Sequence, residues 1–281
     1  MSKVNVSAVW DRSTEFLGDN IATVMAIALP FIYLPQLVQS ALQPLATSPA
    51  IGWIVQLVTL AMVIVGLWGQ LQLLALALDP ARPAAHARET ATARLIPVII
   101  VSLCLLLGVF VLLIPVLVAL VAAGLDYDAV VRASTTGATV PVPAGLTASL
   151  ALFILFYCLA LLVVMLWVGV RLLLVNAVIV EERRTLGAIA RSIAMTRGHT
   201  FVLIGLALLY GIVSFVAVAA AQSVFGFVIG LILGGDGPVT VATVLTAVVV
   251  AGVATAFVLL ITSFVAHFYR AVRAQESADA A

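Results

Sequence analysis

Arg171–Phe201 reads RLLLVNAVIVEERRTLGAIARSIAMTRGHTF. The stretch leaves one long apolar run, crosses the charged residues Glu181–Arg184, forms a short amphipathic helix and enters a second apolar run. It holds five of the thirteen Lys and Arg residues of a chain in which charged residues make up only 9%. A cationic segment between two water-avoiding blocks has the pattern of a loop at one face of a membrane.

Both flanks extend that pattern. The 281 residues are 64% hydrophobic, with a mean hydropathy of +1.29, whereas a soluble domain is about 45–50% apolar and about 25% charged. A soluble fold of this composition would lack the polar surface to cover itself. The apolar residues also gather in blocks as long as the roughly 20 residues a membrane-spanning helix needs. The fold class read from the sequence is therefore an all-α membrane protein, a single integral domain over 1–281. Its six transmembrane helices are expected at about 21–42, 51–78, 95–123, 146–175, 201–222 and 239–266. Net charge is +1, which gives no field to attract nucleic acid.

Local signals refine the spans. Residues 2–19 place Val6, Val9, Trp10, Phe16 and Leu17 among Lys3, Asp11, Arg12, Glu15 and Asp19, the spacing of a helix lying on a membrane surface. This polar start lacks the layout of a cleaved signal peptide. Pro30 and Pro35 predict a kink in the first span, and Pro44, Ser48 and Pro49 a turn at Gln43–Ala50. Gly124–Gly145 reads as a loop. The run from Phe201 to Gly234 exceeds a bilayer core, which predicts a break near Gln222–Ser223 and a re-entrant or interfacial piece at Val224–Leu233. Gly235–Pro238 reads as a turn.

Charge sets the orientation. Lys3 and Arg12, then Arg82, Arg88 and Arg94, then Arg171, Arg183, Arg184, Arg191 and Arg197, and finally Arg270 and Arg273 all fall on one side of six spans; only Arg132 falls on the other. The positive-inside rule puts both termini and both charged connections in the cytoplasm. Ala85–Arg94 (AHARETATAR) also aligns with Ala188–Arg197 (AIARSIAMTR), with five of ten positions identical, and Arg12-Ser13 echoes Arg191-Ser192. These matches predict three parallel repeats, 1–78, 79–175 and 176–266, each a short amphipathic cytoplasmic helix followed by a two-span hairpin.

In the third unit Leu186, Ile189, Ala190 and Ile193 form an apolar stripe. Arg183, Arg184, Arg191 and Arg197 are the candidate site: guanidinium groups that reach anionic lipid headgroups, or a protein partner at the cytoplasmic face, while the stripe sits in the acyl boundary. The competing reading has them only set topology and snorkel. Glu181–Arg184 itself reads as a solvated cap at a helix start.

Chemistry is hard to find elsewhere. The spans hold no Asp, Glu or Lys, and their polar residues, among them Gln36, Gln39, Gln56, Gln70, Ser102, Ser214, Thr255 and Thr262, suit helix-to-helix hydrogen bonds. His86, His199 and His267 lack the spacing of metal ligands, and neither a nucleophile elbow nor a phosphate loop appears. Cys104 and Cys158 read as packing residues, and Gly226, Gly230 and Gly234, like Ala217 and Ala221, as a ladder for close helix contact within the chain or in a dimer. No cofactor and no metal are expected.

The sequence Arg171, Val178–Val180, Glu181-Glu182, Arg191-Ser192 and Thr196-Arg197-Gly198, with the tail His267-Phe268-Tyr269-Arg270, resembles the membrane domain fused to some bacterial glycerophosphoryl diester phosphodiesterases, and related stand-alone six-span proteins. The resemblance implies a bacterial inner-membrane protein that anchors or presents something at the lipid surface. In fused members the phosphodiesterase is a separate domain using His, Glu and Asp with a divalent metal, and its motifs are not found in this sequence. The expectation is a non-enzymatic scaffold or lipid-interacting module. The alternatives are a permease component for an uncharged or lipidic solute and, more remotely, an intramembrane lipid-modifying enzyme.

Overall fold

The computed structural model describes residues 5–46, 48, 50–136, 139, 142–233 and 239–280. Helix α1 (Val6–Asp19) starts at Asn5, whose Oδ1 accepts the N–H groups of Ser7 and Ala8 at 3.1 and 3.3 Å. The first span joins α2 (Ile21–Ala28), a π-helical turn (Leu29–Tyr33), α3 (Leu34–Leu42) and a 3-10 turn (Gln43–Leu45). Helices α4 (Gly52–Leu78) and α5 (Ala84–Ala122) form the next pair, followed by α6 (Tyr127–Thr136) and α7 (Ala148–Arg171). The chain then makes α8 (Val175–Glu182), α9 (Gly187–Met195), α10 (Thr200–Leu233) and α11 (Val241–Ala280). No strand occurs among the described residues, and six helical stretches are long and apolar enough to cross a membrane: Ile21–Leu45, Gly52–Leu78, Ala84–Ala122, Ala148–Glu182, Thr200–Leu233 and Val241–Asp279.

The expected kink takes the form of a π turn. Pro30 and Pro35 remove two donors, and the Leu34 N–H reaches back five residues to the Leu29 carbonyl. The widened backbone lies against α4 at Gly69, where a β-carbon would sit 2.6 Å from both the carbonyl oxygen and Cβ of Phe31. Beside it the Phe31 ring meets Trp68 edge to face at 4.8 Å. Trp68 donates to Thr92 Oγ1 at 3.1 Å and lies under the Arg88 guanidinium at 5.5 Å. One level of the bundle thus ties the first, second and third spans together.

Three sequence expectations fail here. The break at Gln222–Ser223 is absent, because α10 runs unbroken for 34 residues; Gln and Ser keep their backbone donors, so polarity alone does not interrupt a helical ladder. The Gly124–Gly145 loop contains α6, started by Asp126, whose Oδ1 accepts the Ala129 N–H at 3.1 Å. Ala85–Arg94 is the opening of α5 rather than a separate helix, whereas its counterpart spans α9 and a turn ending in Gly198, at φ 87°. Only the second copy has the glycine that lets the chain leave a helix in the left-handed region. The expected turn at Gly235–Pro238, and positions 47 and 49 of the Gln43–Ala50 turn, lie outside the described residues.

Packing is concentrated at one end. Val24, Ile27 and Ile32, Leu71, Leu73 and Leu74, Ala87, Ala91 and Val98, Val175 and Ala177–Val180, and Phe264, Phe268 and Tyr269 build a core close to the arginine-bearing segments. Helix α8 lies in its centre and buries Val175, Ala177, Val178, Ile179 and Val180. Farther along the spans Leu103, Leu106, Phe110, Phe156, Leu162, Phe215 and Phe227 face outward. Water would not tolerate so large an apolar exterior, but lipid tails are as apolar as these side chains.

Candidate functional site

Helix α7 ends at Arg171, where the last carbonyls of a helix lack donors from the next turn. Helix α9 and the turn after it supply donors to the last of them. Ser192 Oγ donates to the Arg171 carbonyl at 2.7 Å, with Thr196 Oγ1 at 3.5 Å, and in return Arg171 Nη1 donates to the Ile193 carbonyl at 3.2 Å. The Arg171 guanidinium lies over Trp167 at 5.0 Å. Ser192 and Thr196 are wholly buried. The pattern of Arg171, Arg-Ser and Thr-Arg-Gly is thus a two-way latch that fixes α9 across the end of α7. Ser192→Ala is expected to cost about 2 kcal/mol by leaving the buried carbonyl poorly satisfied, measured as a lower denaturation midpoint in detergent. An unchanged midpoint would remove the latch.

A second knot forms around Glu182, whose side chain is only 10% exposed. Its Oε1 accepts Arg191 Nε at 3.0 Å and the Tyr269 hydroxyl at 3.3 Å, and Oε2 faces Arg184 Nε at 3.3 Å. Arg191 also holds Glu276 through two parallel bonds, Nη1 to Oε1 at 3.0 Å and Nη2 to Oε2. Arg273 Nη1 donates to the Tyr269 hydroxyl at 2.8 Å. The Glu276 carboxylate, and then Glu182, hold the Arg191 guanidinium further above its usual range, against the opposing effect of burial. Helices α8, α9 and α11 are joined by this one guanidinium.

The four sequence candidates therefore separate. Arg191 is bound within the protein, Arg184 shares Glu182 but remains exposed, and Arg183 and Arg197 are exposed without an ion pair among the described residues. On α9 the buried face is Ala188, Ser192 and Met195; of the stripe, Leu186 and Ala190 are exposed, with Ile189 and Ile193 half-buried.

Glu181–Arg184 is not a solvated cap at a helix start. It closes α8, and Arg183 is the one described non-glycine residue with a left-handed backbone, at φ 58°. The turn sends alternate side chains to opposite sides: Glu182 and Arg184 join the knot, while Glu181 and Arg183 line a cleft of about 380 Å³. Asp79 and Arg82 line the cleft from the α4–α5 connection, with His86, Glu89, Thr90 and Arg94 along one face of α5. Arg82 pairs with Asp79 at 2.7 Å and donates to His86 Nε2 at 2.8 Å.

Other expectations are corrected in detail. Gly226 and Gly230 make no close helix contact within the chain: a β-carbon on Gly230 would meet nothing within 4 Å, and one on Gly226 only Thr246 at 3.6 Å. They open a cavity of about 480 Å³ with Ser40, Gln43, Gln222 and Thr243, and Gly234 lies outside the described residues. Ser214 and Thr262 donate to carbonyls of their own helices, Gly211 and Val258, rather than across to neighbours. Cys104 and Cys158 are exposed thiols on the outside of the bundle. Among the described residues no three His, Cys, Asp or Glu side chains gather as a metal site. No protein-family model, curated protein or solved structure matches the chain.

Proposed function

We propose a non-enzymatic, multi-pass protein of the bacterial cytoplasmic membrane, with both termini and both arginine-bearing connections in the cytoplasm, that presents a stiff basic surface to anionic lipid headgroups. The observation that carries this reading is the exposure of Arg183, Arg184 and Arg197 before and after α9, a short helix held at Arg191 by Glu182 and at the adjoining Ser192 and Ile193 by Arg171. Fixing α9 lowers the ordering cost of the arginines that flank it.

Each arginine at an anionic surface contributes about 1 kcal/mol. Replacing Arg183, Arg184 and Arg197 together with Gln should lower the retention of phosphatidylglycerol over phosphatidylcholine at least about tenfold, read by native mass spectrometry of the detergent-purified chain. Equal retention by the triple variant and the parent would refute the basic surface. A second reading, a permease component for an uncharged or lipidic solute, draws on the 480 Å³ cavity with its neutral Ser40, Gln43, Gln222 and Thr243. Saturable uptake into liposomes, reduced by Gln222→Leu, would favour it.

A further inference from the structure

The cleft between α5 and the end of α8 holds charges of both signs that leave each other unpaired. Arg183 and Glu181 face it from one wall, Arg94 and Glu89 from the other, and none of the four makes an ion pair among the described residues. The contrast with the neighbouring knot is sharp, since Glu182 and Arg191 use up their bonding capacity on one another and on α11. Asp79, Arg82 and His86 satisfy one another on the third wall and add no net charge. The left-handed backbone at Arg183 turns it away from Arg184 and into this space. A hollow of about 380 Å³ lies within the range that holds a small organic group.

We propose that the cleft binds one zwitterionic phosphoester bearing a primary amine, its phosphate between Arg94 and Arg183 and its ammonium at Glu89 and Glu181. Guanidinium forks from two walls match a phosphate, which offers several oxygens at once. Two carboxylates suit a primary ammonium, which has three N–H groups to donate. A trimethylated ammonium has none. The proposal rests on the lipid-interacting reading and adds a headgroup class to it; a lipid headgroup and a free phosphoamine share the required chemistry.

The test is calorimetric titration of the full chain in detergent with short-chain phosphatidylethanolamine, phosphatidylcholine of the same chain length, and soluble O-phosphoethanolamine. Saturable one-to-one binding of the ethanolamine lipid is expected, at least tenfold weaker for the choline lipid. Arg94→Gln, Arg183→Gln and Glu89→Gln should each weaken it at least tenfold. Glu89→Gln is nearly isosteric and exposed, so it keeps the test readable if an arginine variant fails to fold. Binding of the lipid alone identifies a membrane ligand, and equal binding of O-phosphoethanolamine a free one; both support the site. No saturable binding of either amine, equal binding of the choline lipid, or binding untouched by all three substitutions overturns it. If the cleft fails while phosphatidylglycerol retention still falls in Arg184→Gln/Arg197→Gln, the basic surface stands without it. The reverse pattern separates the two in the other direction.

Discussion

Gly69→Ala is expected to lower the stability of the folded bundle by about 3 kcal/mol, at the upper end of the typical cost of overpacking. The new methyl carbon would lie 2.6 Å from the Phe31 carbonyl oxygen and from Phe31 Cβ. Neither neighbour is the end of a flexible side chain, so one backbone must move. The Phe31–Trp68 ring contact and the Trp68–Thr92 hydrogen bond must then follow. Gly66, one turn earlier on α4, supplies the control. A β-carbon there would be 3.9 Å from the nearest atom, Phe31 O, which is ordinary contact. Gly66→Ala should therefore stay within about 0.5 kcal/mol of the parent, as substitutions without a specific clash do. Denaturation in mixed micelles, followed by circular dichroism, reads both. If Gly69→Ala matches Gly66→Ala, the close approach of the π turn to α4 is refuted.

The second large effect belongs to Glu182. Glu182→Ala removes the acceptor of both Arg191 Nε and the buried Tyr269 hydroxyl, and frees Arg184. Hydrogen bonds to charged groups contribute about 1.5–3 kcal/mol, and the hydroxyl left behind adds a desolvation cost. A loss of about 3 kcal/mol is expected. Glu276→Ala should cost only about 1 kcal/mol, although its bonds to Arg191 are bidentate, because that carboxylate is 40% exposed and water replaces it. The order Glu182 above Glu276 is the discriminating result. Equal losses would mean that burial does not rank the two carboxylates. A double-mutant cycle between Glu182 and Arg191 should show coupling, and the cycle between Glu182 and Arg197 none.

The six spans were legible because each apolar block is long and the charges between them fall in a few connections. Twenty consecutive residues without a charge leave little choice. The arginine-bearing end was legible for the same reason, and the structure gathers those segments into one region through the Arg191–Glu276 bonds and the shared cleft. What stayed hidden depended on backbone detail. Nothing in EERR announces that Arg183 adopts a left-handed conformation, and that single dihedral decides which charges face the knot and which the cleft. Helix α8 escaped notice because eight apolar residues after Arg171 look like the end of a span, while the turn at 172–174 makes them a separate, central element. Arg191 looked like its neighbours because its partner Glu276 is 85 residues away in sequence. Gly226 and Gly230 have the spacing of a contact ladder, but small side chains permit an approach without compelling it.

The concentration of packing near the arginine-bearing end makes the molecule stiff at one pole and compliant at the other. Hydrogen exchange should open the distal turns of α5, α7 and α10 first and those around α8 last. In bilayers of differing thickness, tilt and splay would be taken up in the half away from α8, leaving the packing of α8 against α9 undisturbed. A surface carried on the rigid pole keeps its shape while the membrane beneath it changes.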